Sequence, residues 1–291
     1  MDMVPFDDRD GFIWMNGAFS PWRETKVHVL THGLHYGSAV FEGERAYSGE
    51  IFKSLEHSER LHNSARILGF DIPFSVEQIE DAKREALARS GLDSAYVRAI
   101  AWRGSEMMGV SAQNNRINLA IAVWEWGDYF ADKMKGIRMT HAQWKRPSPE
   151  TAPCDSKAAG LYMICTLSKH AAERAGYADA LMLDWRGQVA EATGANVFFV
   201  RDGAIHTPTP DCFLNGITRR TIIGLAEARQ MEVIERAIMP DELPTFSECF
   251  ITGTAAELTP VAEIADVSYT PGALTETLIH DYDRLVNRKA P

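Results

Sequence analysis

The apolar run Ile13-Trp14-Met15 gives way to Asn16-Gly17, the pattern of a strand entering a hairpin turn. A further strand is expected over residues 40–46, turning at Ser48-Gly49 into Ile51-Phe52. Between Ser58 and Leu68 the apolar positions Leu61, Ala65 and Leu68 recur at helical spacing. Ser75-Val76-Glu77-Gln78 has the form of a capping box, opening a helix that closes near Gly91. Residues 96–102 and 117–124 are dense in β-branched and aromatic side chains and read as strands. This first stretch is an α+β unit.

After Trp126 the pattern loses its period until a fresh strand near Ile137, so a linker is expected at 127–137. It would divide a small N-terminal α+β domain, 1–126, from a larger C-terminal domain, 138–291. In the second part, 160–175 and 218–229 are helical in pattern, and 178–184, 196–200 and 247–252 are strand-like. Pro208-Thr209-Pro210 and residues 240–244 read as loops. Strands and helices mix with many hairpins, which makes the fold class α+β with two subdomains.

Composition narrows the possibilities. A chain of 291 residues suits two domains. Acids outnumber bases 40 to 30, for a formal net charge of −10, whereas a nucleic-acid partner would call for a basic face. The longest apolar run, 119–124, falls far short of the ~20 residues of a spanning helix. The acidic opening residues carry no apolar signal core, so a cytoplasmic protein is expected, with no membrane partner. Cys154, Cys165, Cys212 and Cys249 form no Cys-x-x-Cys pair and read as free thiols. The pairs His32/His35 and His57/His62 lack a third ligand nearby, so no metal is expected.

Candidate chemistry starts with Lys157, in Cys154-Asp155-Ser156-Lys157-Ala158-Ala159-Gly160. Small neighbours leave room around its amine for an imine to a bulky aldehyde, and a desolvated lysine can act as a nucleophile. Taken alone, it reads first as a surface lysine at a loop-to-helix junction. Gly216-Ile217-Thr218 precedes an amphipathic helix, where glycine lets the backbone approach an anion at the positive helix end. Residues 253–256, Gly-Thr-Ala-Ala, form a second small-residue turn whose N–H groups could bind an oxyanion. Arg60 could offer a bidentate fork to a phosphate, and Glu191, flanked by Ala190 and Ala192 just before a strand, could reach into a cleft.

Together these segments resemble the branched-chain amino acid aminotransferases, pyridoxal-phosphate enzymes of fold type IV. The resemblance spans about residues 13–261. It is carried by His35-Tyr36-Gly37-Ser38-Ala39-Val40-Phe41-Glu42-Gly43, Glu59-Arg60-Leu61-His62, Ser94-Ala95-Tyr96-Val97-Arg98, Ser156-Lys157-Ala158-Ala159-Gly160-Leu161-Tyr162, Glu191-Ala192-Thr193-Gly194, Gly216-Ile217-Thr218 and Gly253-Thr254-Ala255-Ala256-Glu257.

The resemblance implies the fold type IV architecture, two α/β subdomains with pyridoxal 5'-phosphate at their junction. It implies Lys157 as the residue that forms the aldimine and shuttles the proton, and Glu191 as the partner of the pyridine nitrogen. Tyr162 would bond the phenolic oxygen. Arg60, Gly216, Ile217, Thr218 and Thr254 would hold the phosphate. Thr254, Ala255 and Ala256 would receive the substrate carboxylate, helped by Tyr96 and Arg98, and Tyr36, Phe41, Met108 and Trp126 would line an apolar side-chain pocket. The implied reaction is transamination of branched-chain L-amino acids with 2-oxoglutarate, in a homodimer or higher homo-oligomer. D-amino acid and (R)-amine aminotransferases and 4-amino-4-deoxychorismate lyase share the fold and remain alternatives. The chain departs from the family pattern at Glu44-Arg45, at Asn215 and at Ala195; Glu44 and Arg45 are expected near the pocket and so bear on substrate choice.

Overall fold

The structure is a computed structural model that describes residues 4–127 and 133–287. The chain divides into two compact units, Met1–Gly127 with Ser156–Gly160, and Asp128–Asp155 with Leu161–Pro291. Much of the expected linker, residues 128–132, lies outside the described residues.

The first unit contains β1 (Phe12–Met15), β2 (Ala18–Pro21), α1 (His32–Tyr36), β3 (Ala39–Phe41), β4 (Glu44–Tyr47), β5 (Glu50–Ile51), α2 (Ser54–Ile67), α3 (Val76–Ser90), β6 (Ala95–Arg103) and β7 (Ile117–Glu125). Its sheet runs β2-β1-β7-β6-β4-β5, and β3 also pairs with β6. Asn16 and Gly17 both take positive φ, as the β1–β2 hairpin requires. The Ser75–Gln78 capping box opens α3, and Gly91 closes it in the left-handed region. One face of the sheet, including Val97, Ala99 and Ala101 of β6, packs with Leu61, Ala65, Ile79 and Ala86 of α2 and α3. Each fully buried Val, Leu or Ile side chain there contributes about 1.5–3 kcal/mol.

Two expectations change here. The single strand expected at 40–46 is broken into β3 and β4 at Glu42-Gly43. Glu42 keeps its main-chain bond to Ala99 O, at 2.8 Å, but buries its carboxylate beside α2. The segment 156–160, expected within the larger domain, belongs to the first unit. Ala158 bridges Val40, Phe41 N–H donates to Lys157 O, Ser156 Oγ donates to Ser64 O, and Lys157 N–H donates to Ser64 Oγ.

The second unit contains β8 (Ile137–His141), α4 (Tyr162–Arg174), β9 (Asp179–Leu183), β10 (Val189–Ala192), β11 (Asn196–Arg201), β12 (Ala204–Pro208), α5 (Ile217–Ala228), β13 (Val233–Arg236), β14 (Glu248–Gly253), β15 (Glu257–Ile264), β16 (Val267–Ser268) and α6 (Ala273–Val286). The sheet runs β10-β9-β8-β15-β14-β11-β12-β13, and β10 also pairs with β11, so this path of strands returns on itself. Its core joins Met139, Leu181, Val197, Phe199, Ile251 and Val261. The loop expected at 240–244 is a 3₁₀ helix, Pro240–Thr245, stabilised by Glu242 Oε1 accepting from Met239 N–H at 2.8 Å. Glu191 precedes the expected strand, which is β11, and itself lies within a further strand, β10, in register with Asn196. Mixed helices and strands in both units make the fold α+β. Among the described residues no helix is long and apolar enough to cross a membrane.

Candidate active site

In the first unit, strand alternation sorts the candidate residues between the two faces of the sheet. Glu44 pairs with Val97 and Arg45 with Tyr96, so the two side chains of this dipeptide point in opposite directions. Glu44 is 1% exposed and takes the helix side, its Oε2 accepting from Lys83 Nζ at 2.7 Å. It therefore stands in the buried layer beneath α3, which corrects its expected place near the pocket. Arg45 takes the opposite face, stacked over the Tyr47 ring at 4.7 Å.

That opposite face gathers several predicted residues. Arg98 lies 4.7 Å from the centre of the Phe41 ring, and Lys157 Nζ lies 5.2 Å from the same ring. Arg98 Nη2 donates to Tyr96 Oη at 3.2 Å, while its buried Nε finds no hydrogen-bond partner. Tyr96 is stacked on Trp124 and packs 4.8 Å from Trp126. A Cβ on Gly43 would overlap the Tyr96 hydroxyl, so glycine is what lets this tyrosine sit where it does. Arg98 is also the charged member of an apolar cavity of about 350 Å³, lined by Leu34, Ala39, Ile100, Trp102 and Ala120.

Arg60 projects from α2 to Glu42, with Nε donating to Oε1 at 2.7 Å and Nη2 to Oε2 at 2.8 Å. His57 Nδ1 meets the same Oε2 at 2.6 Å. Burial alone would raise the Glu42 pKa; Arg60, then His57, outweigh it and hold the carboxyl well below the usual range. Glu42 thus fixes which edge of the Arg60 guanidinium is turned away.

In the second unit, Glu191 is held between two buried side chains. Arg146, 4% exposed, places Nε 3.4 Å from Glu191 Oε1, and Asn196 Nδ2 donates to Oε2 at 3.3 Å. Burial would lower the Arg146 pKa, but Glu191, together with Cys165, Cys154 and Tyr162, outweighs it and keeps the guanidinium above its usual value. Cys165, 3.6 Å from Arg146 Nη1, has its thiol pushed up to about 11 by burial and then by Glu191. The thiol is therefore neutral, which commits the arginine's charge to the carboxylate.

Gly216 is the N-cap of α5, which receives no side-chain cap and has no acidic residue in its first turn. Such a helix start favours an anion. Thr254, Ala255 and Ala256 form the turn from β14 to β15. With Tyr162, Cys165, Thr193 and Gly194, Ala255 and Ala256 line a cavity of about 330 Å³. Asp184, Asp211 and Cys212 bring ligand-type atoms within 4.8 Å of one another, but Arg186 bonds both carboxylates and supplies the balancing charge.

Two further predicted pocket residues are exposed. Tyr36 is 48% exposed and stacks on His32, and Met108 is 44% exposed on the loop after β6. The supporting residues Glu42, His57, Arg146 and Asn196 were not singled out from sequence. His57 and Arg60 sit three apart on one helix, a spacing that could have suggested a shared partner. Nothing local marks Arg146, which reaches Glu191 through the tertiary fold.

The amino-transferase class IV family model matches residues 39–264. The branched-chain-amino-acid aminotransferase of Pseudomonas aeruginosa is 40% identical over 291 residues, covering 97% of this chain and 95% of that protein. Among solved structures, the T.th. branched-chain amino acid aminotransferase complexed with N-(5'-phosphopyridoxyl)-L-glutamate has a TM-score of 0.93 at 40% identity, covering 97% of this chain and 96% of that one. The same enzyme complexed with 4-methylvaleric acid gives 0.92, with the same identity and coverage. Likeness on this scale defines the class, an amino-group-transferring enzyme of mixed α+β fold. The chain belongs to the class IV aminotransferases.

Proposed function

We propose that this protein transaminates branched-chain L-amino acids with 2-oxoglutarate, using pyridoxal 5'-phosphate. The observation that carries the substrate reading is the face bearing Phe41, Tyr96 and Trp126, where Arg98, on the same face as Arg45, adds a guanidinium whose buried Nε has no hydrogen-bond partner. A donor with a branched aliphatic side chain suits the aromatic surface, and the second carboxylate of 2-oxoglutarate suits the arginine. The T.th. relative, solved both with a phosphopyridoxyl-glutamate and with 4-methylvaleric acid, supports the same pair of chemistries.

The donor set suits the cofactor. An uncapped α5 start without acidic residues fits a phosphate, and a buried carboxylate with its own arginine fits a protonated ring nitrogen. By family position, Arg60, Gly216, Ile217, Thr218 and Thr254 hold the phosphate, Tyr162 donates to the phenolic oxygen, and Glu191 bonds the nitrogen. The bound cofactor supplies an electron sink for the pair left when the substrate α-proton departs. The Lys157 amine would hold the cofactor's aldehyde carbon and, once displaced, would accept the proton from the substrate α-carbon and carry it to the carbon on the other side of the shared nitrogen. Arg146 sets a positive charge against one oxygen of Glu191, and a carboxylate so placed favours a proton on the nitrogen it bonds. Thr254, Ala255 and Ala256 orient the substrate carboxylate through N–H groups, with Tyr96 and Arg98 alongside.

We read the protein as a cytoplasmic homodimer. Four cysteines with none joined to another support the compartment, and exposed apolar side chains at Val29, Leu34, Tyr36 and Val110 support the assembly. An amino-donor panel tests the activity: L-leucine, L-valine, D-alanine and (R)-1-phenylethylamine, each against 2-oxoglutarate. L-leucine and L-valine should turn over best. A preference for D-alanine or the (R)-amine overturns the substrate reading, and release of pyruvate from 4-amino-4-deoxychorismate without any 2-oxo acid replaces it with a lyase.

A further inference from the structure

Asn196 opens β11, 5% exposed, opposite Glu191 of β10 and Thr252 of β14. Its carboxamide reaches two separate parts of the second unit. Nδ2 donates to Glu191 Oε2 at 3.3 Å and to Leu214 O at 3.0 Å, and Oδ1 accepts the Gly216 N–H at 3.2 Å. The orientation of the amide is forced, since the Gly216 N–H can meet only the oxygen and the Leu214 carbonyl only the nitrogen. A Cβ at position 216 would overlap Asn196 Oδ1, so glycine there lets the turn close onto the amide.

We propose that Asn196 is a positioning residue that ties the Glu191 carboxylate to the first turn of α5, setting the spacing between the two groups that hold the two ends of the cofactor. The assignment rests on the cofactor reading above. Both ends of the amide, Nδ2 and Oδ1, thus have partners, and those partners are Glu191 on one side and the turn into α5 on the other. Aspartate would preserve the shape but place a second carboxylate against Glu191 and lose the donor to Leu214. Serine is too short to span both partners. Arg146 approaches the other oxygen of Glu191, so charge comes from one side and register from the other.

The test uses the full chain, stripped of and then titrated with pyridoxal 5'-phosphate. It compares wild type, Asn196→Ala, Asn196→Asp, Glu191→Gln and the double variant Asn196→Ala/Glu191→Gln. Asn196→Ala should weaken cofactor binding by about 10- to 100-fold, the range in which outer partners of ligating groups act. It should also move the pH at which the bound cofactor's visible band titrates, in the direction that Glu191→Gln moves it. The double variant should show little further movement, because both substitutions act on one carboxylate. Asn196→Asp, close in shape to the native residue, keeps the question answerable if the alanine variant does not fold, and it should shift the band more than alanine does. A variant that melts earlier yet binds cofactor with wild-type affinity and a wild-type band profile overturns the proposal, as do fully additive shifts. Wild-type protein that takes up no cofactor sinks the underlying reading as well; normal wild-type uptake with unresponsive Asn196 variants sinks this proposal alone.

Discussion

Arg60 lies edge-on against Glu42, two of its donors held at 2.7 and 2.8 Å by a carboxylate that is itself fully buried. The residue the family assigns to the phosphate is therefore one member of a structural ion pair. Removing the Glu42 carboxylate would take a shared acceptor from both Arg60 and His57. Glu42→Gln should cost about 3–5 kcal/mol, the range for breaking one side of a buried pair. The pH dependence follows from the lowered pKa of Glu42 in the folded state. Its contribution is fully present above the ordinary carboxylate value and is lost as pH falls from there through the folded value. Urea unfolding of wild type and variant between neutral and acid pH checks this. The difference between the two should shrink as the buffer becomes more acidic, and a constant difference would count against the pair.

Lys157 is fixed by its backbone, with its N–H on Ser64 Oγ and its carbonyl accepting from Phe41. Lys157→Ala should abolish turnover while the fold persists, because those bonds do not involve the amine. Borohydride treatment of the wild-type holoenzyme should attach the cofactor to one peptide. Mass spectrometry that places the label on Lys169 would reassign the nucleophile.

Gly43 leaves room for one hydroxyl, that of Tyr96, which bonds Arg98. Stacking on Trp124 and packing on Trp126 prevent the ring from swinging aside. Gly43→Ala should therefore push Tyr96 off Arg98 and lower kcat/KM for the amino donor by about 10- to 100-fold. The stability loss should stay at about 1–3 kcal/mol, as for other overpacked sites. Wild-type kinetics in a folded variant would show that Tyr96 does not serve the substrate.

Glu44 and Lys83 illustrate what the sequence could and could not convey. The dipeptide Glu44-Arg45 departs from the family pattern beside a pocket motif, yet only strand register decides which side chain faces the aromatic surface. β4 pairs Glu44 with Val97, on the helix side, and Arg45 with Tyr96. Glu44→Gln should thus leave the ratio of L-leucine to L-valine turnover unchanged while lowering the melting temperature, because Lys83 loses a carboxylate at 2.7 Å. A changed substrate ratio would return Glu44 to the pocket.

The hairpin at Asn16-Gly17, the Ser75 capping box and the long strands β6 and β7 were legible because each rests on local chemistry or period. Lys157, Arg60 and Glu191, the residues proposed for the site, were singled out through motifs. The residues that hold those groups in place were not, since Glu42 meets Arg60 across eighteen residues and Arg146 meets Glu191 across a sheet. The same distance effect hid the attachment of 156–160 to the first unit, which depends on Ser64, far away in sequence. β12, β13, β15 and α6 were also unforeseen. β12 and β15 are largely buried and lack the alternation that marks a half-exposed strand.

Assembly is the property on which the exposed apolar residues bear most directly. Val29, Leu34, Tyr36 and Val110 are exposed on α1, the segment before it and the loop after β6, and Val110 is 88% exposed. These parts of the first unit are tied together, because His32 N–H donates to Gly104 O and His32 Nε2 lies 2.8 Å from Gly109 O. Apolar side chains gathered on a linked surface favour burial against a second copy, and closed two-fold dimers dominate among homo-oligomers. Size exclusion with light scattering should give twice the chain mass. The double substitution Leu34→Glu/Val110→Glu should shift that mass toward the single chain, since two carboxylates per copy would have to be desolvated on association. A wild-type monomer of 32.4 kDa with full activity would refute the dimer and leave the Lys157 chemistry intact.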